Sequence, residues 1–256
     1  MKIIVAIKQV PERDAPISLT ADGKLDESGL AWAINEPDAY ALEEALQLKE
    51  KVGAGEVIAL CAGPARVLST LRDALAKGAD RAIHIEADDL GQRDTLSLAH
   101  LLAEAIHPES PDLVLTGLQS DDLGLGQTGV VLAELLNIPH ATIIMQVEKT
   151  ANGLRVKREL EDGWFQHIDI PLPALLTIQS GGNKLRYATL MGIKKAKTKE
   201  VRTVSVAQLC VAAAPVVAME HVKLPSKQRT TQILTGTPAE AAAKLVEKLQ
   251  FEVRAL

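Results

Sequence analysis

The sequence predicts an α/β fold: a doubly wound, mainly parallel sheet with an antiparallel strand extension and a C-terminal arm plus helix. Three observations carry this. Apolar runs at 2–8, 56–61, 81–86 and 112–116 are continuous rather than alternating, as expected of strands covered on both faces. Helical patterns at 37–51, 64–77, 94–106 and 126–136 separate those runs, and such alternation implies parallel pairing through helical crossovers. After about residue 140, strand-like runs at 141–148, 154–160, 164–170 and 174–179 follow one another. Asn152-Gly153 and Asp162-Gly163 between them are hairpin signals, so an antiparallel extension is expected.

The helix boundaries follow from capping chemistry. Asn35-Glu36-Pro37-Asp38 offers an N-cap Asn, an early Pro and an acid in the first turn. Gly63-Pro64 opens the next helix, and Gly78 closes it after Lys77. Gly181-Gly182 breaks the last strand. The expected division is a nucleotide-binding α/β domain at 1–182, a partner-recognition loop at 183–198, and an extended arm with a C-terminal helix at 199–256. The stretch 199–235 has little periodicity, and an unstructured arm that long is more plausible wrapped on a partner. From Pro238 to Leu249 the pattern is amphipathic, with Leu245, Val246 and Leu249 on one side.

Composition narrows the function classes. Of 256 residues, 47% are hydrophobic but only 2% aromatic, so the core is built from Ala, Val, Ile and Leu. The net charge of -5, with no broad basic stripe, argues against nucleic acid. Cys61 and Cys210 lack metal or disulfide spacing, and Cys61 reads as a buried small hydrophobe. Met1 leads directly into a strand-like run, wrongly flanked for a signal peptide, and no run approaches the roughly 18 apolar residues of a membrane span. A cytoplasmic bacterial protein without membrane insertion is expected.

The most informative motif is Gly117-Leu-Gln-Ser-Asp-Asp-Leu-Gly-Leu-Gly-Gln-Thr-Gly129. It joins an apolar strand to a helix. Glycines let backbone N–H groups approach an anion, and the helix N-terminus adds partial positive charge, so the loop reads as a phosphate cradle. It lacks the Gly-Lys-Ser/Thr of a Walker loop and follows the fourth strand rather than the first. The alternative is an ordinary connection with Gln127 and Thr128 capping the helix. Reaction chemistry is scarce. His84, His100, His107, His140, His167 and His221 show no ligand spacing, and there is no G-x-S-x-G elbow. Asp121 and Asp122 could hold Mg²⁺, but capping the loop or touching a ribose suits them better. Neither a catalytic residue nor a metal site is expected.

Several motifs in one order now resemble the β subunits of electron transfer flavoprotein. They are Val5-Ala-Ile-Lys8, Asn35-Glu-Pro-Asp38 followed by Ala41-Leu-Glu-Glu-Ala45, Gly63-Pro64, and Leu71-Arg-Asp-Ala-Leu-Ala-Lys-Gly-Ala-Asp80. Gly117-Leu-Gln-Ser120 with Gln127-Thr-Gly129, Arg158-Glu159, Pro173-Ala174 and Arg186-Tyr-Ala-Thr-Leu190 complete the series. The resemblance implies an adenine-nucleotide hydrolase-like fold and an αβ heterodimer. FAD would sit mainly on the α subunit, shared at the interface, and a structural AMP in this chain. The pair would shuttle electrons from flavoprotein dehydrogenases to a membrane quinone reductase or similar acceptor. The resemblance implies a carrier rather than an enzyme.

Carried over by position, the resemblance implies that AMP is held by Ala6, Asn35, Glu36, Pro37, Asp38, Ala62, Gly117, Gln119, Ser120, Asp121, Asp122, Gly124, Gly126, Gln127 and Thr128. Small residues at strand ends leave room for adenine or ribose. Arg186, Tyr187, Leu190, Met191, Lys194 and Lys195 would dock the dehydrogenase, with Leu190 as the anchor and the lysines steering acidic partners. Glu36, where some members have Pro, and Gly126, where some have Asn, set this chain apart; Asn35-Glu36, with Gly117-Leu-Gln-Ser120 and the Arg186–Leu190 run, resembles more the subgroup serving bacterial trimethylamine dehydrogenase. Two alternatives stand beside this reading. One is a bifurcating-type subunit with a second FAD in place of AMP, against which Thr128 argues because such members carry an apolar residue there. The other is a stand-alone adenine-nucleotide-using enzyme.

Overall fold

The computed structural model describes all residues except 210, 212–213, 226–230 and 254–256. Cys210 therefore lies outside the described residues. The chain forms two compact units, Met1–Val222 and Lys223–Leu256.

The first unit is built on strand β1 (Lys2–Ala6), whose apolar run Ile3-Ile4-Val5 is wholly buried. It pairs in parallel with β4 (Glu56–Gly63) on one side and β6 (Leu113–Gly117) on the other. Outside β4 lie β5 (Arg81–Glu86) and then β11 (Val201–Ser205), both parallel. Beyond β6 come β10 (Ala174–Ile178), β7 (His140–Thr150), β8 (Gly153–Glu159) and β9 (Phe165–Ile170). Among the described residues this makes one nine-stranded sheet in the order β11-β5-β4-β1-β6-β10-β7-β8-β9. A separate ribbon, β2 (Gln9–Pro11) with β3 (Trp32–Ile34), leaves the end of β1.

Helices cover both faces, as continuous apolar strands require. One core packs α1 (Glu36–Val52), α2 (Leu68–Lys77) and α5 (Leu190–Ala196) on the odd-numbered residues of β1 and β4, with Leu42, Leu46, Leu71, Leu75 and Ala196 buried. The other packs α3 (Thr95–Ile106) and α4 (Thr128–Leu135) on Ile4, Ile58, Leu60 and Ile83, with α6 (Val206–Leu209) at its margin. Each wholly buried Leu or Ile is worth about 1.5–3 kcal/mol. A core of this size holds the sheet without needing aromatic side chains.

The structure departs from the sequence reading in three places. Within the nine-stranded sheet, only β7, β8 and β9 pair antiparallel; β10 runs parallel to both β6 and β7 and sits between them. The cause is its continuous buried run, Ala174-Leu-Leu-Thr-Ile178, which belongs inside a two-faced sheet rather than on a half-exposed extension. The stretch read as an extended arm begins with β11, an edge strand registered from Val201↔Ala82 to Ser205↔Glu86. The segment read as a recognition loop contains α5, with Thr189 at its N-cap accepting from Gly192 N at 3.0 Å.

The second unit contains α7 (Pro238–Lys248). Its start is a complete capping box: Thr237 Oγ1 accepts from Glu240 N, and Glu240 Oε2 accepts from Thr237 N at 2.8 Å. Leu245, Val246 and Phe251 are exposed.

Candidate functional site

The sheet order defines a crevice. From β1 the chain moves to β4 and β5 on one flank, then crosses back to β6 on the other. The C-terminal ends of β1 and β6 are therefore the topological switch point, where open α/β sheets bind ligands. The loop after β6, residues 118–127, and the first turn of α1 meet there.

Six side chains tie the crevice together. The Asp38 carboxylate, in the first turn of α1 and only 6% exposed, accepts from Lys8 N at 2.7 Å and Gly117 N at 2.8 Å. It thus links the end of β1 to the end of β6. Burial pushes its carboxyl up to about 7, against the pull of those two N–H donors and of Asn35. Asn35 sits at the N-cap of α1 but does not cap it. Its side chain instead donates to Gln119 O and accepts from Asp121 N, both at 2.9 Å. Asp121 in turn accepts from Glu36 N at 3.3 Å. The Lys8 ammonium donates to Asp122 Oδ1 at 2.6 Å and to Ser120 Oγ at 3.2 Å. Burial works to raise the Asp122 carboxyl, but Lys8 and Ser120 outweigh it and hold it below the usual range.

The crevice walls suit close approach. A Cβ on Gly117 would stand 2.7 Å from Pro37 Cβ and 2.8 Å from Asp38 N, so only glycine lets α1 meet β6 there. Gly124 and Gly126 take φ +62 and +64, the left-handed region open to glycine. Ala6 and Ala62 lie toward the ends of β1 and β4, on the sheet face that carries α3 and α4. Gln127, at the N-cap of α4, makes no side-chain capping bond, so side chains leave the first-turn N–H groups of α4 unpaired beside Thr128. Gly129 seats α4 tightly, since a Cβ there would stand 2.6 Å from Thr177 Cγ2. This donor set fits an anion, and the small strand-end residues fit a flat ring.

The segment expected to dock a dehydrogenase lies elsewhere. Tyr187 is 91% exposed and Leu190 88%, with Met191, Lys194 and Lys195 also exposed. Arg186 turns inward: it pairs with Glu43 at 2.8 Å and Glu50 at 2.7 Å on α1. These bonds hold its guanidinium above its ordinary pKa and the Glu50 carboxyl below its own. A Cβ on Gly192 would collide with Ala76 O, so the glycine lets α5 lie close on α2. An open groove of about 350 Å³, lined by Gln146, Glu148, Arg155, Lys157, His167 and Asp169, is the solvent face of β7–β9 and is remote from the switch point. Cys61 is buried, and burial followed by the Asp38 charge pushes its thiol up to about 12, an unreactive state. Among the described residues no group of three or more His, Cys, Asp or Glu could hold a metal, and no helix is long and apolar enough to cross a membrane.

A sequence model of the electron transfer flavoprotein domain matches residues 22–209. The chain is 40% identical to electron transfer flavoprotein subunit beta of Methylophilus methylotrophus, over 96% of this chain and 97% of that one. It is 36% identical to the subunit beta of Bacillus subtilis over the whole of both chains. It is also 32% identical to acryloyl-CoA reductase electron transfer subunit gamma of Anaerotignum propionicum, over 97% of this chain and 98% of that one. The chain belongs to the electron transfer flavoprotein family, as a β subunit. Such a subunit is an electron carrier rather than a catalyst.

In this electron transfer flavoprotein β subunit, the crevice gathers Asn35, Glu36, Asp38, Gly117, Gln119, Ser120, Asp121 and Asp122 through Lys8 into one bonded group, with Pro37 packed close on Gly117. Sequence reading missed Lys8, which lies two residues beyond β1. A cation at the end of the central strand, opposite an Asp-rich loop, was the available signal. Arg186 is among the expected docking residues, yet its guanidinium is engaged on α1 and stands apart from the exposed Tyr187 and Leu190.

Proposed function

We propose that this β subunit forms a heterodimer with an electron transfer flavoprotein α subunit, holds AMP as a permanent scaffold, and contacts an FAD lodged chiefly on α. FAD supplies the one- and two-electron chemistry when bound. This chain's residues position and enclose. The AMP phosphate rests at the start of α4 on Gln127, Thr128 and their N–H groups, while Gly124 and Gly126 let the loop close round it. Ala6 and Ala62 make space for the adenosine, and Asn35–Asp38 form the opposite wall. Charge-assisted bonds of this kind are worth about 1.5–3 kcal/mol each, so a few retain the nucleotide.

The observation that supports this best is the uncapped start of α4 beside the glycine loop at the switch point. The 183–198 segment serves as the dehydrogenase dock. Leu190 enters a partner pocket and Lys194 and Lys195 steer toward acidic surfaces. Burying one Leu gives about 1.5–3 kcal/mol, which suits a contact made and broken at each transfer. Residues 199–256 contribute to the α-subunit contact, and the pair works in the bacterial cytoplasm between flavoprotein dehydrogenases and a quinone-linked acceptor.

The test is to denature the co-purified heterodimer and identify the released nucleotides by mass. One AMP and one FAD per pair are expected. Two FAD and no AMP would assign the bifurcating reading, and absence of any adenylate would overturn the scaffold.

A further inference from the structure

We propose that Lys8 is a positioning residue of the nucleotide site: its ion pair with Asp122 keeps the 118–127 loop shut and so sets the rate at which the nucleotide exchanges. The inference rests on the AMP reading above and extends it to a residue that the family resemblance did not bring to the site.

The geometry is as follows. Lys8 stands beyond the end of the central strand, its own N–H bound to the buried Asp38. Its base is therefore fixed. From there the ammonium reaches across the switch point to Ser120 Oγ and Asp122 Oδ1. Asn35 ties the loop at Gln119 and Asp121, near its root. Lys8 reaches further along, to the last residue before the exposed Leu123 and Leu125 and the left-handed Gly124 and Gly126. Those glycines are joints, and the segment beyond them leads to Gln127 and Thr128. Breaking the pair frees that segment to swing while the root stays tied. The side chains of Lys8 and Asp122 are 36% and 31% exposed, so solvent salt can weaken the pair.

The experiment uses the heterodimer. Its bound AMP is exchanged against isotope-labelled AMP and followed by mass after denaturation. Lys8→Met and Asp122→Asn are each expected to speed exchange about tenfold, as loss of one charge-assisted bond implies. The double variant should be no faster than either. The charge-swapped pair, Lys8→Asp with Asp122→Lys, should restore slow exchange. High salt should speed exchange in the unaltered protein and leave Lys8→Met unchanged. Unaltered exchange in both single variants would overturn the proposal. So would loss of AMP in Lys8→Met with normal retention in Asp122→Asn, which would place the ammonium on the phosphate. Amide hydrogen exchange of residues 121–126 provides a readout independent of AMP: protection must fall in Lys8→Met. If the protein carries no AMP, the scaffold reading fails, and this second measurement still decides whether the ion pair closes the loop.

Discussion

Replacing Asp38 by Asn tests the strut that joins β1 to β6. The change is nearly isosteric, so packing is preserved. What changes is acceptor count. Each carboxyl oxygen takes one backbone N–H, from Gly117 and from Lys8. The amide keeps one oxygen and turns an NH₂ toward the other donor. An unpaired buried N–H costs about 1–3 kcal/mol. Against this stands the charge. Burial raises the folded carboxyl to about 7, well above the ordinary carboxyl range. The fold therefore prefers the protonated acid, and its contribution to stability falls as pH rises from about 4 to about 7, by about 1.4 kcal/mol per pH unit. Asn does not titrate. The variant should be less stable than the parent by about 1–3 kcal/mol near pH 4. That deficit should close as pH rises and then reverse, leaving the variant more stable by about 1–3 kcal/mol near pH 7 and level above it, because other titrating groups are common to both proteins. Urea unfolding at pH 4, 5, 6, 7 and 8 measures the difference directly. A deficit that is constant with pH, or that grows, would refute the reasoning, since it would mean the N–H donors dominate over burial.

Other substitutions probe the remaining parts. Thr128→Val keeps shape but removes a hydroxyl at the start of α4, so AMP retention through dialysis should fall roughly tenfold, as one lost hydrogen bond of about 1.4 kcal/mol implies; full AMP stoichiometry after dialysis would argue against the phosphate assignment. Leu190→Ala should slow electron transfer from the donor dehydrogenase while flavin content and Tm stay unchanged, because the side chain is 88% exposed. Normal dehydrogenase kinetics would remove Leu190 from the dock. Gly192→Ala should lower Tm by a few degrees, on the order of 1–3 kcal/mol of overpacking, because its methyl meets Ala76 O. Calorimetry showing no change would mean that α5 can shift on α2 without strain.

Much of the fold is legible in the sequence, because continuous apolar runs separated by capped helices can be arranged in few ways. The central strands and α1 to α4 follow from that pattern. What periodicity does not encode is direction and neighbour. Ala174–Ile178 reads as a strand, but nothing local says that it enters the parallel sheet between β6 and β7. Val201–Ser205 is half-buried at an edge, and it reads as irregular because only one side of it is paired. The site divides the same way. The glycine-rich loop after β6 stands out by composition alone. The bonds that shape it are invisible, because they join residues far apart in the chain. Asn35 meets Gln119 across 84 positions, Lys8 meets Asp122 across 114, and Arg186 meets Glu43 across 143. Asn35 carries the further lesson that a residue ideal for capping can be diverted to a tertiary bond.

Helix α1 has 17 residues and so spans about 26 Å. Its first turn is a wall of the crevice, while Glu43 and Glu50, seven residues apart on one face, grip Arg186. It is a single stiff rod clamped at both places. Any tilt imposed at the nucleotide end must therefore displace the footing of the segment that carries Tyr187 and Leu190. On the proposed assignment, emptying the crevice would misplace the surface that receives electron donors, so a defect that looks like lost affinity for a dehydrogenase can originate a full helix length away from the point of contact.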